Sequence, residues 1–175
     1  MDKKEFLRQR QQILDECYRK DPEVAVWVRT KRILWRITAG YFIVHMVLDI
    51  LLRMQMQTYE GLGREIFKLL FQLFWLNVSM NPERSWRIST LLYLFAVVNF
   101  GMLFLSGESM LNSLPYISAM PLLGAIMFME LLLPLLLLAL AIYLTALPKS
   151  RELSERAWEI CKKSMEGYND TANYR

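Results

Sequence analysis

Histidine occurs once in this chain, at His45, and cysteine twice, at Cys17 and Cys161. One histidine excludes bis-histidine haem and di-histidine metal sites within a single chain. Both cysteines lie in polar end segments that read as cytoplasmic, where thiols stay reduced and a disulfide is not expected. No HExxH metalloprotease motif, serine elbow, Walker loop or glycine-rich dinucleotide loop occurs. No polar segment is large enough to hold a separate active site. The chain therefore reads as non-enzymatic, with no catalytic residue, cofactor or metal assigned. Internal repeats are missing too, so a duplicated transporter fold is not expected. Met54, Met56, Met110 and Met120 do not change the metal reading, because methionine is ordinary membrane filler.

Charge is absent from Ser109 to Pro148 except at Glu130. The stretch Leu122–Leu147 would be about 39 Å long as a helix at 1.5 Å per residue, enough to cross a bilayer. A carboxyl group there is costly, by roughly 3 kcal/mol on insertion scales. Pro134 follows four residues later. It cannot donate to the Glu130 carbonyl, and its ring presses on that carbonyl, so a kink is expected there.

What is present is apolar sequence in long runs. Of 175 residues, 54% are hydrophobic. The runs place spans at about 33–52, 62–80, 86–106 and 122–147. The 62–80 run carries Lys68, Gln72 and Asn77. It spans if Lys68 snorkels outward, and is otherwise an interfacial or re-entrant segment. Residues 1–31 form cytoplasmic amphipathic and juxtamembrane helices, 32–148 a transmembrane domain, and 149–175 a second cytoplasmic helix with a polar tail. No signal-peptide pattern precedes the first run, which reads as a retained anchor. The fold class is all-α: a polytopic four-transmembrane-helix bundle with an amphipathic cytoplasmic helix at each end. Met54–Gly63 and Gly107–Tyr116 read as loops, and Pro148 as the stop of the last span.

The N-terminal helix carries Phe6, Leu7, Ile13, Leu14, Cys17 and Tyr18 on one side, after an Asp2…Glu5 capping pair. Its stripe fits a membrane surface, its own bundle or a partner protein. Asp21-Pro22-Glu23 caps and starts the next helix. The net charge of +4 raises nucleic acid as a partner, but the bases flank the apolar runs, which excludes that reading. Lys and Arg number ten through Arg36, two in the 81–85 turn and its edge, and six after Pro148. The other connections hold Arg53, Arg64 and Lys68. That asymmetry predicts a multi-pass cell-membrane protein with both termini cytoplasmic.

Tyr41, His45, Asp49 and Arg53 recur every four residues and share one face of the first span. Measured from the outer ends of their spans, His45, Gln72, Asn99 and Glu130 fall at a similar depth, about 10–15 Å in. Asp49 lies one turn nearer the surface. This polar layer of His45, Asp49, Gln72, Asn99 and Glu130 has two readings. In one it is dry and pins the helices together. In the other it is a wet cavity in which Glu130 holds a proton or cation. The leading functional expectation is an accessory or regulatory subunit acting through protein partners in the lipid bilayer, or as a homo-oligomer. The alternative is a small oligomeric transporter or channel using Glu130, His45 and Asp49 on a small molecule or ion.

Overall fold

The computed structural model describes the backbone of residues 3–58, 62–117 and 120–172, with side chains over 11–58, 62–105, 111–112, 114–117 and 120–164. The Asp2…Glu5 capping pair and the side chains of Phe6 and Leu7 lie outside the described residues, as do Tyr59 and Gly61 of the first loop. The described residues are helical with short connections, and no strand occurs among them. The helices are α1 (Lys3–Arg19), α2 (Pro22–Gln55), α3 (Leu62–Met80), α4 (Trp86–Ser89), α5 (Leu91–Ser113), α6 (Pro121–Thr145) and α7 (Pro148–Ala172).

Local chemistry accounts for the boundaries. Asp21 Oδ1 accepts from the Val24 N–H at 3.3 Å, and Pro22 opens α2, where its missing N–H leaves no partner short. From there α2 runs unbroken out of the polar end and through the whole first apolar run. It ends at Gln55 in a Schellman turn: Thr58 N donates to Arg53 O at 3.0 Å and Gln57 N to Met54 O at 3.2 Å. Gln57 takes the left-handed position with φ 54°. Between α4 and α5 the chain tightens at Thr90, whose hydroxyl bonds the Arg87 carbonyl at 2.5 Å and competes with the helical pattern.

Three expectations are corrected. Gly107–Tyr116 is not a loop: α5 continues to Ser113 and a 3-10 turn covers Leu114–Tyr116. In apolar surroundings a chain keeps its backbone bonded to itself, which overrides one glycine. Pro148 does not only end a span. It is the first residue of α7, after α6 has closed at Thr145. The polar tail is helical as far as Ala172, since each residue added to a formed helix adds a hydrogen bond.

Three segments are long and apolar enough to cross a membrane: α2, the α4–α5 run Trp86–Leu105, and α6. Their outward surfaces agree, with large apolar side chains such as Val97, Phe104 and Phe128 exposed. These features are those of a membrane protein. Helices α2, α3, α5 and α6 share one apolar core built on Phe42, Leu76, Leu92, Phe95, Leu137 and Leu144.

At one end of that core the remaining helices gather. Leu14 and Tyr18 of α1 and Leu153, Ala157 and Cys161 of α7 join the same core. The α3–α4 turn arrives at this end too: Lys31 Nζ donates to Asn81 O at 3.5 Å and Ser85 Oγ to Glu155 at 3.1 Å. Arg156 ties α7 to the start of α2, bonding Asp21 and, at 3.1 Å, Glu23. The opposite end holds the α2–α3 connection and the start of α6.

Asp21 thus serves as a cap and as an ion-pair partner. Partial desolvation pushes its carboxyl up, but donation from Val24 and the Arg156 guanidinium outweigh that and hold it below the usual carboxylate value. The stability it contributes is present above the ordinary pKa and is lost as pH falls through the lowered one. Protection of the α7 amides, taken relative to their intrinsic exchange rate at each pH, should accordingly fall a few-fold in acid in the native chain. Asp21→Asn, which keeps a capping oxygen, should remove that pH dependence with modest loosening, and Asp21→Ala should loosen both helices more. Equal exchange in all three proteins across the range would refute the latch.

Candidate functional site

Glu130 is the one charged residue of helix α6, so the carboxyl must find its surroundings on another helix. It faces α2. His45 Nε2 lies 3.8 Å from Glu130 Oε1, just beyond hydrogen-bond reach. One turn back on α2, the Tyr41 hydroxyl donates to the Met129 carbonyl, fastening the two helices beside Glu130. Pro134 is buried within α6 one turn further on.

One turn past His45 the polar face of α2 continues. Arg53 Nε donates to Asp49 Oδ2 at 2.7 Å, an i,i+4 pair on one helix. The same guanidinium reaches Glu65 of α3 at 3.5 Å. Glu65 also lies 3.5 Å from Arg64 and 3.8 Å from Lys68. One carboxylate of α3 therefore serves three bases. This cluster sits near the start of α3 and the end of α2, at the rim remote from the termini.

These groups enclose a cavity of about 590 Å³. All five residues of the polar layer line it: His45 and Asp49 from α2, Gln72 from α3, Asn99 from α5 and Glu130 from α6. Arg53, Arg64, Glu65 and Lys68 line it as well, with Phe42 and Leu133 among its apolar walls. Asn99 bonds within its own helix, its Nδ2 donating to Phe95 O at 2.8 Å. One expectation changes. Lys68 does not simply snorkel outward, because it lines the cavity beside Glu65 while half of it stays exposed.

The charges are layered. Bases dominate the rim, where Arg53, Arg64 and Lys68 face Asp49 and Glu65. Glu130, His45, Gln72 and Asn99 lie deeper along their helices. Glu65, Arg64 and the inward role of Lys68 escaped the sequence reading. The signal was there: Glu65, Lys68 and Gln72 are spaced three and four apart, one face of a helix whose other face is Phe67, Leu70, Phe71 and Phe74.

Chemically the chamber offers carboxyl, amide, imidazole and cationic groups. No hydroxyl or thiol side chain lines it among the described residues. Nor do those residues include a group of three or more His, Cys, Asp or Glu arranged to hold a metal ion. No protein-family model, curated protein or solved structure matches the chain.

The shared carboxylate yields a test. Glu65→Gln leaves Arg53, Arg64 and Lys68 with less opposing charge and should lower stability by about 1 kcal/mol, the upper end for an exposed ion pair. Adding Lys68→Gln should recover part of that loss, because a base is withdrawn from the same cluster. Thermal melts in detergent of the single and double variants measure this. Simple additivity of two losses would dissolve the cluster as a unit.

Proposed function

We propose that this is a four-span membrane protein, both termini cytoplasmic, that binds a small polar or ionic solute in a chamber open toward the outer half of the bilayer. The observation carrying this reading is the 590 Å³ cavity, into which four helices each bring at least one of the layer's polar groups. Its volume falls within the roughly 300–1,000 Å³ of small-molecule sites. A layer that merely pinned helices would pair its members directly, yet His45 Nε2 has no hydrogen-bond partner among the described residues.

Helix α3 supports the fourth crossing. Its charges keep it from reading as a span by composition, but Glu65, Lys68 and Gln72 line the chamber while Ile66, Leu70, Phe71 and Phe74 are exposed. Such a helix suits lipid on one side and a polar interior on the other. Both terminal helices and the α3–α4 turn lie at one end of the core, which fits an even number of crossings. The basic residues concentrate at that same end, which supports a cytoplasmic assignment.

We read the activity as binding or passage of a solute rather than a chemical reaction, since the chamber offers no hydroxyl or thiol nucleophile among the described residues. An accessory subunit acting through protein partners is the weaker reading on this geometry. Among the described residues, Leu14, Tyr18, Leu153 and Ala157 turn inward and are spent on the core rather than offered to such a partner.

Reporter fusions at Tyr59, Ser85, Asn112 and Arg175 should read outside, inside, outside, inside. The Gln72→Cys variant should react with a hydrophilic maleimide added from outside. Glu130→Gln should fold with unchanged stability and lose solute binding, because Gln keeps size and hydrogen bonding but carries no charge. Glu130→Leu should also lose solute binding, because it removes the carboxyl altogether. An external signal at Arg175 would overturn the topology. A Gln72→Cys variant inert to the reagent would overturn the chamber.

A further inference from the structure

A second cavity adjoins the chamber. About 360 Å³ of space lies between α5 and α6, walled by Phe100, Leu103, Phe104, Leu111, Met127 and Leu131. Its lining side chains are apolar, and Phe104, 80% exposed, stands on the outward surface. Leu103 belongs to both cavities. On α6, Met127 and Leu131 lie three residues before and one after Glu130, so the carboxyl stands where the polar and apolar spaces meet.

The charges distinguish Glu130 from the other acids. Asp49 is bonded by Arg53, and Glu65 is approached by Arg53, Arg64 and Lys68. Glu130 has no lysine or arginine within 4 Å among the described residues; its nearest basic atom is the imidazole nitrogen of His45 at 3.8 Å. The complement to such a place is a ligand that brings its own positive charge and an apolar chain. We infer that the site takes an amphiphilic cation, with its ammonium group at Glu130 and its chain in the α5–α6 groove. This rests on the chamber being a binding site.

The energetics say which half discriminates. A chain moving from lipid into the groove leaves one apolar medium for another, so it gains little. The chain's role is to concentrate the ligand in the bilayer and to fix its approach through the groove. The ammonium–carboxylate contact, formed away from bulk water, supplies the selectivity. Binding should therefore depend steeply on the sign of the head group and weakly on chain length.

The test uses the full chain in lipid nanodiscs and decyltrimethylammonium bearing a photoreactive diazirine at its chain end. Crosslinks should fall on Phe100, Leu103, Phe104, Leu111, Met127 and Leu131, at least tenfold above those on the outward α3 residues Leu70 and Phe74. Unlabelled decyltrimethylammonium should compete and decyl sulfonate should not. Glu130→Gln, verified as folded by its melt, should reduce the groove crosslinks at least tenfold. Leu131→Trp, which fills the groove and spares the carboxyl, should do the same. Equal labelling of the α3 face, competition by the sulfonate, or undiminished labelling in Glu130→Gln would each overturn the inference; the sulfonate result would move the head group to the basic rim. Reaction of the Gln72→Cys variant with the hydrophilic maleimide separates the cases. If it reacts while groove labelling fails, the chamber stands without this ligand class. If it does not react, both readings fall.

Discussion

A carboxyl group placed on a helix with no other charge must be met by groups that lower the cost of its burial. Glu130 sets that requirement for α6, and the neighbouring helices answer it in order. His45 of α2 faces Glu130 at 3.8 Å, Tyr41 fixes α2 along α6 through the Met129 carbonyl, and the same face delivers Asp49 and Arg53 to α3. Because these residues recur every four positions, orienting one orients all. The apolar core then fills behind them, with Phe42 packed edge-on to Phe95 at 6.1 Å between ring centres. The polar contacts determine which faces meet, and the apolar ones supply most of the attraction.

The two ends of the core differ in how they handle charge. At the terminal end, acids and bases pair across elements distant in the chain, as Arg156 does with Asp21 and Glu23. At the other end, charges pair locally and crowd around one carboxylate, leaving space between them. A tightly paired end is suited to rigidity. An end with one acid serving three bases, and another acid lacking a strong partner, can rearrange around a charged guest with little loss, because few strong bonds are broken first.

Much of this could be read from the residues. Polar groups stand out in apolar runs, so His45, Asp49, Gln72, Asn99 and Glu130 were identifiable as a layer from depth alone. The apolar stripes of α1 and α7 were visible in their spacing. The sequence did not show that α1 and α7 cover one another, since a stripe specifies a need for burial and not its partner. Glu65 was hidden because a charge near the end of a short run looks like a helix boundary. The continuation of α5 through Gly107 was hidden because turn residues signal only in water, where a free backbone group finds another partner. The bond that Asn99 makes was hidden for a related reason: an amide on a helix can bond its own chain four residues back, and depth does not reveal which bond it chooses.

The Arg156–Asp21 contact joins residues 135 apart in the chain. A chain is made from its N-terminus, so Leu14 and Tyr18 wait for the cover of α7 until nearly the whole sequence exists. A chain that stops before residue 148 has neither Arg156 nor Lys149, so Asp21 and Glu23 lack the bases that meet them in the finished molecule. The order of the first helices is thus completed by the last one.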